Sequence, residues 1–203
     1  AGLSNNGTIE FLSGGIYQHG VNGEPVPTAT WAAGSTCYIT GTTSTAPTAT
    51  SFNQSFSNFT WECPDQTVTV NFAGNLRTVT GNLSVLNTGT GIITLGNTNP
   101  ETNNLAVAGD FIQSGGTFYC SGITTSSAAL ARTVTVTGNF SLTGGTFNLS
   151  NSSSAANAVT VNVARNFTHT GGTLTETGST TGSRIVFNGS GTEQVYTSGG
   201  TLS

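Results

Sequence analysis

The chain has 203 residues and a formal net charge of -4, and only 6% of its residues are charged, against roughly 25% in an ordinary globular domain. Its four basic residues are all arginine, which excludes a basic nucleic-acid binder, because phosphate neutralisation needs clustered Lys and Arg. No apolar run approaches the ~18 residues of a membrane span, so no membrane insertion is expected. Strict glycine at every third position, as collagen requires, is absent. Val, Ile, Leu and Phe recur in alternation, which separates the chain from the highly charged disordered class.

In chain order, residues 1–65 are irregular. They hold four of the five prolines, both tryptophans and two of the three cysteines. They read as an N-terminal cap with irregular first coils, since terminal repeats of solenoids are atypical. Residues 66–203 read as regular coils. Val68-Thr69-Val70-Asn71-Phe72 alternates, the pattern of a strand with one apolar and one polar face. A marker then recurs at Gly81-Asn82-Leu83, Gly109-Asp110-Phe111, Gly138-Asn139-Phe140 and Arg165-Asn166-Phe167. A second marker, Gly-Gly-Thr, begins at Gly115, Gly144, Gly171 and Gly199. Both step irregularly through the same 29 and 27 residues. Thr133 to Thr137 and Val159 to Val163 alternate strictly. Thr98–Asn104, Thr124–Arg132 and Ser150–Ala158 are polar or Ser/Ala-rich and are expected to bulge out as loops.

Three short strands and three corners in each cycle predict an all-β fold, a right-handed parallel β-helix (β-solenoid) with about 28 residues per coil and roughly seven coils. Phe118, Phe147, Leu174 and Leu202 are expected to stack inward, as are Phe111, Phe140, Phe167 and Val195. Ser114, Thr143, Thr170 and Ser198 are expected to form a hydroxyl ladder.

Gly15-Ile16-Tyr17-Gln18-His19, Pro27-Thr28-Ala29-Thr30-Trp31, Ser35-Thr36-Cys37-Tyr38-Ile39-Thr40-Gly41, Asn58-Phe59-Thr60-Trp61-Glu62-Cys63-Pro64 and the Gly-Asn-Phe and Gly-Gly-Thr-Leu-Thr-Glu-Thr-Gly-Ser phrases resemble large, repetitive, secreted surface proteins of Bacteroidetes-type bacteria. The resemblance covers nearly the whole chain. It implies export by the type IX route and an extracellular location, on the cell surface or released, and it implies no activity.

Eight acids are scattered along the chain without a common register, lysine is absent, and His19 and His169 lie about five coils apart. No catalytic group, metal or cofactor is therefore expected, and the chain reads as a non-enzyme. Tyr17, His19 and Trp31, with Glu24, are the candidate ligand residues: an aromatic-polar pocket for a sugar ring, the alternative being aromatic packing within the cap. Cys37 and Cys63, about one coil apart, are assigned a disulfide, with Cys120 free and buried. Trp61-Glu62-Cys63 is matched to Phe118-Tyr119-Cys120 two coils later. The reading these features favour is an extracellular structural or adhesive surface protein, a rigid rod or fibre segment that self-associates head-to-tail into fibres or contacts surface glycans. The alternatives are a carbohydrate-binding module of a larger secreted protein and, less favoured, an ice-binding protein, because the Thr133/Thr135 array is interrupted by Ala106, Ala108 and Asn162 in the flanking coils.

Overall fold

The computed structural model describes residues 8–96, 104–122, 131–152, 157–178, 182–191 and 193–203. Most of the expected loops Thr98–Asn104 and Thr124–Arg132, and the middle of Ser150–Ala158, lie outside these residues. The fold is a β-solenoid built from parallel sheets, as its alternating strands and repeated corners predict. Three walls run along it. Wall 1 has six strands, from Ser55–Phe56 to Arg184–Phe187; wall 2 has eight, from Ile16–His19 to Tyr196–Ser198; wall 3 has six, from Thr69–Asn71 to Thr201–Leu202. A separate two-stranded sheet pairs Glu10–Phe11 with Thr30–Trp31. A short 3₁₀ turn spans Ala49–Phe52.

Coil length changes along the axis. Wall 2 advances by 20 residues from Ile16 to Thr36 and by 22 from Thr36 to Asn58. It then advances by 24 from Phe59 to Leu83, and from there by 28, 29, 27 and 29 through Phe111, Phe140, Phe167 and Tyr196. The expected seven coils thus resolve into two short ones without a wall 3 strand and about five three-walled turns of about 27 residues. The solenoid tapers toward its N-terminal end. Aromatic rings fill the narrow part: Phe52, Phe56, Phe59, Trp61 and Phe72 are fully buried. One apolar core runs unbroken from Val26 to Leu174.

The repeated glycines have a steric cause. Gly145 sits at φ 74°, where L side chains are strained, and a Cβ there would lie 2.2 Å from the Gly116 carbonyl oxygen of the coil before. The residue after the marker glycine also has a defined task. Each Asn or Asp carboxamide or carboxylate oxygen accepts the backbone N–H of its counterpart one coil on. Asn58 receives Asn82 at 2.9 Å, Asn82 receives Asp110 at 2.9 Å, Asp110 receives Asn139 at 2.6 Å, Asn139 receives Asn166 at 3.3 Å, and Asn166 receives Val195 at 3.0 Å. The glycine makes room for this ladder, since a Cβ at Gly138 would stand 2.3 Å from the Asp110 oxygen. The longest bond falls where Arg165 replaces that glycine.

The inner stacks follow the expected register, with corrections near the ends. Phe118, Phe147, Leu174 and Leu202 align. In the second stack Phe167 pairs with Tyr196 rather than Val195, because Val195 takes the ladder position. The hydroxyl column consequently ends at Thr170, and Ser198 pairs with His169 one place earlier. Val68 to Phe72 belongs to wall 3, where Val70 pairs with Ile93, and Thr78–Val79 takes the wall 1 place. Arg132, expected in a loop, instead begins the wall 1 strand Arg132–Val136. Phe140 is stacked between Phe111 (centroids 4.7 Å, 10° between planes) and Phe167 (4.5 Å, 4°). Replacing it with alanine should cost about 3–5 kcal/mol. Hydrogen exchange should rise first in the two adjacent coils, because repeat arrays lose stability locally; uniform exchange along the rod would contradict the stack.

Candidate functional site

The predicted ligand residues do come together at the narrow end. Wall 2 alternation turns Tyr17 and His19 toward the interior, where they pair with Cys37 and Ile39 of the next strand. The Tyr17 hydroxyl lies 2.9 Å from His19 Nδ1, and the two rings are 5.9 Å apart. Tyr17 and Trp31 meet edge-on at 6.2 Å. Trp31, however, is only 8% exposed. Its indole stacks on Phe11 at 4.6 Å and packs on Phe56 at 5.2 Å, and its N–H donates to Gln54 Oε1 at 3.1 Å. Its faces are therefore occupied, and the cluster is packed as the aromatic filling of the cap rather than opened toward a sugar ring.

His19 is 2% exposed, and its Nε2 has no hydrogen-bond partner. Burial pushes its pKa below the ordinary value, while the neighbouring Glu24 acts in the opposite sense. A lowered folded-state pKa means that the neutral ring fits the fold. The stability this gives is complete above the unfolded pKa of about 6.5 and is lost as pH falls below it. Thermal unfolding should therefore move to lower temperature between pH 7 and pH 5, and His19→Gln should reduce that movement; equal movement in both proteins would remove His19 as its source.

The cysteine assignment is corrected. Cys37, Cys63 and Cys120 are all free and buried. In the wall 2 register Cys37 faces Phe59, which leaves Cys63 four residues further on, roughly 13 Å along a strand. A disulfide needs Cα atoms within about 7 Å. The Cys63 thiol instead donates to the Ile39 carbonyl at 3.5 Å. The match of Trp61 to Phe118 also fails, since Trp61 lies in wall 2, beside Val85, and Phe118 in wall 3. Burial raises the pKa of all three thiols, which suppresses the reactive thiolate. Native protein should resist alkylation, and unfolding without reductant should release three alkylatable thiols by mass spectrometry; fewer than three would reinstate a bridge.

Two polar features were not foreseen. Arg132 is 1% exposed. Its Nη1 donates to the carbonyls of Gly96 and Cys120, while Nε and Nη2 have no partner. Burial lowers its pKa to about 10. Its sequence signal was the alternation itself: extending Val136 and Val134 back by two puts residue 132 on the inner face. Gln113 is the other. It faces inward beside Leu142 and donates from Nε2 to the carbonyls of Gly116 (3.2 Å) and Thr146 (3.0 Å), closing the Gly-Gly corner from within.

Outside, two of the acids serve local structure. Asp110 is a ladder residue, and Glu62 accepts the hydroxyl proton of Tyr38. Among the described residues, no group of three or more His, Cys, Asp and Glu is placed to hold a metal. Hydroxyl side chains form columns on walls 2 and 3. Thr117, Thr146, Thr173 and Thr201 align on wall 3, and Ser141, Thr168 and Thr197 align on wall 2. On wall 1 the column breaks, because Thr135 lies between Ala106 and Asn162. The described large apolar side chains that are exposed cluster at the two ends: Leu12, Ile16 and Val21 at one, Phe187, Val195, Tyr196 and Leu202 at the other. A cavity of about 240 Å³ at the wide end is lined by Phe167, Leu174, Ile185, Phe187, Tyr196 and Leu202. No protein family, curated protein or solved structure matches the chain.

Proposed function

We propose that the protein is a rigid structural or adhesive rod segment on the outside of the cell, non-catalytic, associating through its ends and contacting other surfaces through its hydroxyl-bearing walls. The observation that carries this reading is the continuous interior. In-register strands and face-to-face Phe rings link each coil to the next, so the coils bend together or not at all. The surface composition supports an extracellular place, because four arginines and no lysine leave few cleavage points for basic-specific proteases. The acids support a non-catalytic role, since Asp110, Glu62 and Glu24 each lie beside a different partner. The apolar wide end and its free strand edges support association, as unpaired edges template further pairing. The 20-residue coil at the narrow end, against 29 at the wide end, makes a head-to-tail joint one between unequal cross-sections.

Small-angle scattering and sedimentation test this reading together. At low concentration a stiff rod is expected, about 34 Å along seven rung spacings. Longer species should appear with concentration and be suppressed by Leu202→Asp, which changes a side chain 64% exposed at the wide end. A flexible chain, or no association at any concentration, contradicts the proposal.

A further inference from the structure

The outer face of wall 2 carries one unbroken column: Tyr38, Thr60, Ser84, Ile112, Ser141, Thr168 and Thr197 are successive register partners. From Tyr38 to Thr168 each alternates with buried neighbours and so points outward, and Thr197 continues the column in the exposed last strand. We propose that this face binds an extended neutral polysaccharide lying along the rod axis, with Tyr38 as the aromatic platform at one end; the proposal rests on the surface reading of the rod given above.

Four observations converge on this ligand class. The column holds no charged residue, and the charge beside its platform is the Glu62 carboxylate bonded to Tyr38, which disfavours an acidic polymer over a neutral one. Tyr38 gives its hydroxyl to Glu62, but among the described residues no hydrogen bond to protein engages the hydroxyls of Thr60, Ser84, Ser141 or Thr168. Thr40 and Thr80, by contrast, turn their hydroxyls onto the carbonyls of His19 and Phe56. The positions repeat at about 4.8 Å over six steps, some 29 Å in all, and an array of that kind is engaged along its length only by a ligand that itself repeats. Finally, Tyr38 is half-buried and its hydroxyl is anchored on the Glu62 carboxylate, so the ring is ordered before a ligand arrives and little entropy is lost on stacking. An amphipathic ring with an apolar face suits the C–H face of a sugar. Ice fits less well. Ser84 and Ser141 lack the γ-methyl group and Ile112 lacks the hydroxyl, so the methyl lattice is broken where hydrogen-bonding groups continue.

Affinity electrophoresis with hydroxyethyl cellulose, mannan and xylan as neutral probes and alginate as the acidic one tests the proposal. At least one neutral polymer is expected to retard the protein and alginate is not. Tyr38→Ala and Thr168→Lys should each weaken retardation at least tenfold, with unchanged circular dichroism, while Tyr38→Phe should keep most of it. Absence of retardation by all three neutral polymers, equal retardation of the variants, preference for alginate, or shaping of ice crystals without polysaccharide retention would each overturn it. The rod dimensions from scattering are independent of these results, so failure of the ligand and failure of the rod are distinguishable.

Discussion

Every coil of this molecule depends on the next one for its backbone hydrogen bonds. A single turn of three short strands leaves its N–H and C=O groups pointing along the axis, and buried backbone groups without partners are costly. Parallel in-register pairing of coil on coil meets that demand, and the other features follow from it. Identical backbone positions lie one above another, so a side chain at a corner meets the carbonyl of the coil before, and only glycine fits at Gly145. Identical side chains also lie one above another. Phe111, Phe140 and Phe167 therefore stack nearly flat, and an asparagine side chain can reach the backbone N–H one coil on.

That repetition is also what made the regular half legible. Gly-Gly-Thr and Gly-Asn-Phe are the two corners at which steric and hydrogen-bonding demands are strictest, so they vary least from coil to coil. The inward residues Val134, Val136, Phe147, Val161 and Val163, all fully buried, follow from period-two alternation anchored on those corners. Legibility fails where a corner changes. The early coils lack the Gly-Gly-Thr phrase, run 20, 22 and 24 residues and are filled by aromatic packing, so a step of about 28 misaligns them. Cys63 was placed beside the wrong neighbours for that reason. Near the wide end the step after Phe167 is 29 residues rather than 28, and the Phe stack passes to Tyr196 instead of Val195. The candidate sugar pocket illustrates a different limit. Tyr17, His19 and Trp31 are brought together, but whether an aromatic face is open or covered depends on Phe11 and Phe56, which approach from other coils.

The same pairing divides the protein into an inside that holds it and an outside that meets its surroundings. Inward-turned Gln113 Nε2 and Arg132 Nη1 donate to backbone carbonyls at the corners. The Ser and Thr columns turned outward on walls 2 and 3 are short, uncharged and regularly spaced. Rigidity and the hydroxyl columns are thus two consequences of one stacking rule.

Coil-on-coil register is therefore the claim to test, and a pair of introduced cysteines tests it directly, since the native thiols are buried. Ser141 and Thr168 are partners on adjacent rungs of wall 2, and Thr197 is one rung further. Cα atoms about 5 Å apart permit a disulfide, whereas two rungs, about 10 Å, do not. Under mild oxidation Ser141→Cys/Thr168→Cys should cross-link within one chain, and Ser141→Cys/Thr197→Cys should not. Cross-linking of the second pair in preference to the first would contradict the stacking on which the whole account rests.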